Sequence, residues 1–215
     1  MWPTTISLKE LYKRIQSWAG ESANRSIFLA ALTVGGGTVI VKGIAMAKEL
    51  AIAYHFGTAG VLDAFLIAFM VPSFAVNVVA GAIESAFMPT YIEVLKQKGE
   101  EEGQSLLGSI LLSVGGVLFG VCLLMAAIGP LILPLIASGF SGSKLALTET
   151  FYYLLLPIVL LKGIAIVWMR VLNARDQYAL ASVAPAALPA CLLALVLLVG
   201  DAWGGYALII GTVVG

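Results

Sequence analysis

Long apolar runs with charges in their interiors constrain this chain more than any other feature. The stretch from Gly37 to Pro89 holds two of them, GTVIVKGIAMAKELAIAYHFG and VLDAFLIAFMVPSFAVNVVAGAIESAFMP, with Lys42, Lys48, Glu49, Asp63 and Glu84 inside. Hydrophobic residues make up 60% of the sequence and charged ones 11%, at a mean hydropathy of +1.02. That composition excludes a water-soluble fold and makes the bilayer the solvent. A charge at the bilayer centre costs about 2.5 to 3.5 kcal/mol on insertion scales, so such groups face a bundle interior or a wet cavity.

Helical geometry sorts these charges into stripes. Residues seven apart on a helix fall within about 20° of each other, so Thr38, Lys42 and Glu49 share one face, with Lys48 on the flank. Asp63, Met70, Asn77 and Glu84 repeat the arrangement in the second run, where Pro72 is expected to kink the helix. Two polar stripes on adjacent helices result. Two readings of them stand side by side. Either Lys42 pairs with Asp63 or Glu84 to lock helices together while Lys48 and Glu49 reach the outer interface, or the stripes line a cavity that holds a substrate or ion.

Taken in order, residues 1–26 form a separate segment, with Leu8, Leu11, Tyr12, Ile15 and Trp18 at helical spacing and Lys9, Lys13 and Arg14 between them. Ser7 and Glu10 have capping-box spacing, which predicts a short amphipathic helix on the membrane surface rather than a cleaved signal peptide. Apolar segments follow at about 27–55, 60–90, 105–137, 150–172, 178–199 and 203–215, the last too short for a full span. The fold class is therefore all-α, a polytopic transmembrane bundle of about six spans over residues 27–215, and the chain reads as a fragment. Lys9, Lys13, Arg14, Arg25, Lys96, Lys98, Arg170 and Arg175 fall on one side of that topology and only Lys144 on the other. The positive-inside rule then puts the N-terminus in the cytoplasm. The Glu100-Glu101-Glu102 run is expected in a solvated cytoplasmic loop.

Within the later spans, Gly116-x-x-x-Gly120 permits close helix approach. Lys162 sits in the middle of span four, five residues after Pro157, and is a second buried cation: a contact for an anionic substrate, or a lysine snorkelling or paired with an acid of span two. Pro185 and Pro189 interrupt span five and suit a helix that lines a cavity. Cys122 and Cys191 lie in apolar spans and read as packing residues rather than a disulfide. His55 has no second histidine or cysteine partner, so no metal site is expected. Neither Gly35-Gly36-Gly37 nor Gly142-Ser143-Lys144 has the spacing of a phosphate loop, which excludes ATP-driven pumping by this chain alone and leaves no expected cofactor. With 12 basic and 12 acidic residues the chain is neutral, and nucleic acid is not an expected partner.

The residues in sequence resemble a known family. Lys48-Glu49-Leu50-Ala51-Ile52-Ala53-Tyr54-His55-Phe56-Gly57, then Asp63-Ala64-Phe65, Ala68-Phe69 and Pro72, then Ala86-Phe87-Met88-Pro89 are similar to the opening helices of the MurJ/MviN family. Ala137-Ser138-Gly139-Phe140, Pro157, Leu172-Asn173 and Ala184-Pro185 continue its order. The resemblance implies one lobe of a two-lobed flippase for lipid II, the undecaprenyl-linked peptidoglycan precursor, in the bacterial cytoplasmic membrane. The full-length chain would then carry a second, C-terminal lobe. It further implies a cationic cavity between the lobes that binds the substrate's diphosphate, and a transporter rather than an enzyme. Where the family carries arginines this chain has Lys42 and Lys48, and it lacks the family's arginine pair after Pro72. Lys42, Lys48, Lys162 and Asn77 are the expected substrate contacts, and Glu49, Asp63 and Glu84 the gating or ion-pair groups, with a lipid-linked glycan and membrane lipids as partners. A flippase for exopolysaccharide or O-antigen units, or a non-transporting scaffold of a glycan-assembly complex, are the alternatives.

Overall fold

A computed structural model describes residues 22–57, 60–175 and 177–215, apart from the side chains of residues 22–27, 30, 80, 83 and 84. The amphipathic segment expected from Ser7 lies outside the described residues. Helix α1 spans Ser22–Phe56, α2 Gly60–Lys98, α3 Glu100–Ile136, α4 Gly142–Leu155, α5 Pro157–Ala174, α6 Tyr178–Val183, α7 Ala187–Trp203 and α8 Gly205–Val214, with a 3-10 turn at Ala184–Ala186 between α6 and α7. No strand occurs among the described residues. Hydrocarbon offers no water to a free peptide group, so each apolar run closes its own hydrogen bonds as a helix. Among the described residues, five stretches are long and apolar enough to cross a membrane: Ala31–Phe56, Gly60–Val79, Glu100–Ile136, Gly142–Ala174 and Tyr178–Trp203. The 10 residues of α8 reach only about 15 Å, half a span.

Helix ends follow from local chemistry. Gly99 alone links α2 to α3 and Gly204 alone links α7 to α8, with φ of 88° and 53°. A Cβ strains that left-handed conformation, and glycine escapes the strain. Pro157 splits span four into α4 and α5: it has no N–H, and the Leu156 N–H bonds the carbonyls of Tyr152 and Tyr153 at 3.1 and 3.4 Å. The Pro130 ring removes the N–H that would bond the Ala126 carbonyl, and the Tyr153 hydroxyl donates to that carbonyl at 3.3 Å. Its neighbour Tyr152, fully buried, donates to the Met125 carbonyl at 2.8 Å. Two tyrosines of α4 thus dock onto the part of α3 that its proline opens.

Helix α2 carries Pro72 and Pro89 within one element of 39 residues. Two expectations change. Glu100, Glu101 and Glu102 form the first turn of α3, not a loop; acidic side chains there face the positive end of the helix dipole. Gly116 and Gly120 meet nothing among the described residues: a Cβ at either would enter open space there. Close approach occurs instead at Gly163 of α5, where a Cβ would strike the Leu118 side chain of α3, and at Gly129 of α3, where it would strike the Tyr152 ring.

The helices pack in two groups. Helix α2 is the hub of one, lying against α3, α4, α5 and α8, while α1 packs on α6, the 3-10 turn and α7. Helix α8 bridges them by packing on α7 and on α4. The core runs through the hub group, with Phe65, Tyr91, Leu118, Tyr152, Leu155 and Val167 all buried. Helices α1 and α2, expected to lie side by side, share no extended contact among the described residues.

Candidate functional site

Ion pairs at the helix ends use up many of the charges near the spans. Asp63 accepts from the Lys144 ammonium at 2.6 Å, joining the start of α2 to the start of α4. The same ammonium stands over the Phe140 ring at 4.0 Å. At the end of α1 the His55 ring nitrogen Nδ1 meets the Asp201 carboxylate at 3.0 Å, tying α1 to α7. At the far end of the bundle Arg175 donates from Nε to the Tyr91 hydroxyl at 3.2 Å and pairs with Glu100 at 3.0 Å. The Tyr91 bond raises the already high pKa of the guanidinium, and the Glu100 charge adds to the rise. That cluster joins α2, α3 and the end of α5 and stays charged at any physiological pH. Sequence reasoning missed Lys144, Asp201 and Tyr91 as partners, since each pairs with a residue distant in the chain.

The expected site residues separate. Lys48 pairs with its chain neighbour Glu49 at 2.6 Å, so this cation and this acid satisfy each other. Asp63 pairs with Lys144 and not with Lys42. Asn77 is exposed on α2, and the Glu84 side chain lies outside the described residues. Lys42 is exposed on α1 and has no acid partner among the described residues. Lys162, half-buried in the middle of span four, also lacks a carboxylate among the described residues; its ammonium stands over the Phe69 ring at 5.7 Å. Phe69 in turn stacks on Phe65 with centroids 5.8 Å apart and planes 6° from parallel. One turn further along α2, the Ser73 hydroxyl oxygen is buried without a hydrogen-bond partner among the described residues. Cys122 and Cys191 are free thiols, and no cluster of metal-ligating side chains occurs among the described residues.

Among the described residues, Lys42 and Lys162 lie within membrane spans with no acid partner after the end-pairs are accounted for. Ionisable groups so placed contact cargo or its pathway in carriers, and this chain is a multi-pass membrane protein. The lipid II flippase MurJ family model matches residues 52–215, and the chain belongs to that family. It is 29% identical over 163 residues to a probable lipid II flippase MurJ of Synechocystis, covering 76% of this chain and 30% of the relative. Identity is 31% over 170 residues to the probable lipid II flippase MurJ of Rhizobium meliloti, 75% of this chain and 31% of that protein. The lipid II flippase MurJ of Burkholderia cenocepacia is 27% identical over 79% of this chain and 33% of its own length. A solved structure of lipid II flippase MurJ in an inward closed conformation matches with a TM-score of 0.68 at 21% identity, over 84% of this chain and 39% of that one, a likeness of fold. The chain thus spans about a third of the length of the curated relatives it matches. The family match begins inside α1, so Lys42, Lys48 and Glu49 precede it while Asp63, Asn77, Glu84 and Lys162 fall within it.

Proposed function

We propose that the chain forms the first lobe of a flippase that moves lipid II, a polyprenyl-diphosphate-linked saccharide, across the bacterial cytoplasmic membrane by alternating access. The N-terminus is cytoplasmic in this reading. Helices α1 and α5 turn their lysines toward a cavity completed by a second, C-terminal lobe. The observation that carries the reading is Lys162, a cation in the middle of a span with no acid beside it among the described residues. An ammonium left without a counter-charge in a low-dielectric environment attracts an anion strongly, and a diphosphate brings charge enough to fill the role. Lys42 gives a second point charge for the same headgroup. No covalent step is involved, so the protein acts as a transporter and not as an enzyme. Neither a metal nor a cofactor enters the proposed cycle.

A second reading has one observation in its favour. Ser73-Phe74-Ala75-Val76-Asn77 after Pro72 carries no arginine, which suits a lipid-linked exopolysaccharide or O-antigen unit with a different headgroup. Complementation tests both. The complete natural protein should restore growth to a bacterial strain depleted of its own lipid II flippase, and Lys42→Ala and Lys162→Ala should each fail while inserting in the membrane at normal levels. Full rescue by both variants refutes the diphosphate reading. Rescue of a capsule or O-antigen export defect, without rescue of peptidoglycan precursor export, transfers the assignment to the second reading.

A further inference from the structure

Lys162 keeps its position without a carboxylate, and the residues around it on α2 show how. Helix α2 packs along α5, and the Phe69 ring lies 5.7 Å from the Lys162 ammonium. A ring face at that distance attracts a cation through its quadrupole, and more so away from water. The stack of Phe65 on Phe69, 5.8 Å apart and nearly parallel, backs the ring from the same helix face.

We infer that Phe69 belongs to the anion site of Lys162. The Phe69 ring positions the ammonium in place of a carboxylate, which would neutralise it and compete with the phosphate-class anion that the ammonium attracts. This inference rests on the diphosphate reading above and extends it to a residue on another helix. Phe69 is a positioning residue, since it acts through Lys162.

Undecaprenyl diphosphate, titrated into the complete protein in nanodiscs, is the probe. Lys162→Ala should weaken binding at least about tenfold, in line with loss of a charged hydrogen bond. Phe69→Leu should weaken it about two- to fivefold, and Phe69→Trp, which keeps a ring face, should bind as the parent does. In a Lys162→Ala background Phe69→Leu should cost nothing further, because its effect runs through the missing ammonium. Additive losses in the double variant, or Phe69→Trp as weak as Phe69→Leu, make the ring a packing group and overturn the inference. That outcome leaves the diphosphate reading standing so long as Lys162→Ala binds weakly; normal binding by Lys162→Ala fells the reading and the inference together. Thermal melting in the same nanodiscs reports the fold, and Phe69→Met replaces Phe69→Leu if the latter melts early.

Discussion

Helix α1 and the α2–α5 group solve the membrane problem in opposite ways. Along α1 the described apolar side chains stay mostly outside the lobe's own core: Val39 is 72% exposed, Met46 66% and Tyr54 87%, and of its described residues only Gly37, Ala51 and Ile52 are buried. Its grip on the rest is a line of contacts to α6 and α7 and one His55–Asp201 pair at its end. The α2–α5 group instead interlocks, with Gly163 admitting Leu118, Gly129 admitting Tyr152, and Arg175 joining three helix ends. Lys42 rides on the outward-facing helix and Lys162 on the interlocked one.

The contrast predicts unequal costs. The largest should come from Gly163→Val, which drives a branched side chain into Leu118 and should destabilise the bundle by about 1–3 kcal/mol, read as earlier melting in detergent. Gly116→Val on α3, where space is open, should melt within about 0.5 kcal/mol of the parent. Equal losses at the two glycines would remove the distinction between interlocked and open faces. Tyr91→Phe should come next. It removes the hydroxyl that Arg175 Nε bonds at 3.2 Å and should cost about 1 kcal/mol, since Glu100 still holds the guanidinium. Smallest is His55→Ala: the pair with an exposed Asp201 should add no more than about 0.2–1 kcal/mol to global stability. Its effect should show as faster hydrogen exchange confined to the last turns of α1 and the end of α7. Protection lost across α2–α5 in that variant would mean that α1 is not held separately.

Much of the fold was readable in advance, and the reasons are visible residue by residue. The runs around Lys42, Asp63 and Lys162 are too long and too apolar for water, and Pro157 and Pro185 interrupt helices because neither has an N–H to donate. The site was readable only in part. Lys162 stood out as a cation inside a span, but its neighbour Phe69 lies 93 residues earlier, the difference between 162 and 69. Nothing in residue spacing announces that contact. Gly116-x-x-x-Gly120 had the pattern of a close crossing and turned to open space, whereas Gly163, with no such pattern, holds one. A small residue permits approach; only a neighbour makes it. The pairing of Asp63 followed the same logic, since Lys42 was nearer in sequence and Lys144 nearer in space. Consecutive helices are usually neighbours, and α1 and α2 are an exception that misdirected the search for an acid beside Lys42.

From its residues alone the chain determines that it must be helical, how many times it can cross a bilayer and which charges fall inside apolar runs. Each of those is decided within one run of residues, by the demand that a peptide group in hydrocarbon find its partner four residues away. Which charge neutralises which, and which stay free, was decided by tertiary structure. Direct charge pairing needs contact within a few ångströms and is set by helix neighbours and rotation, properties that no single run possesses.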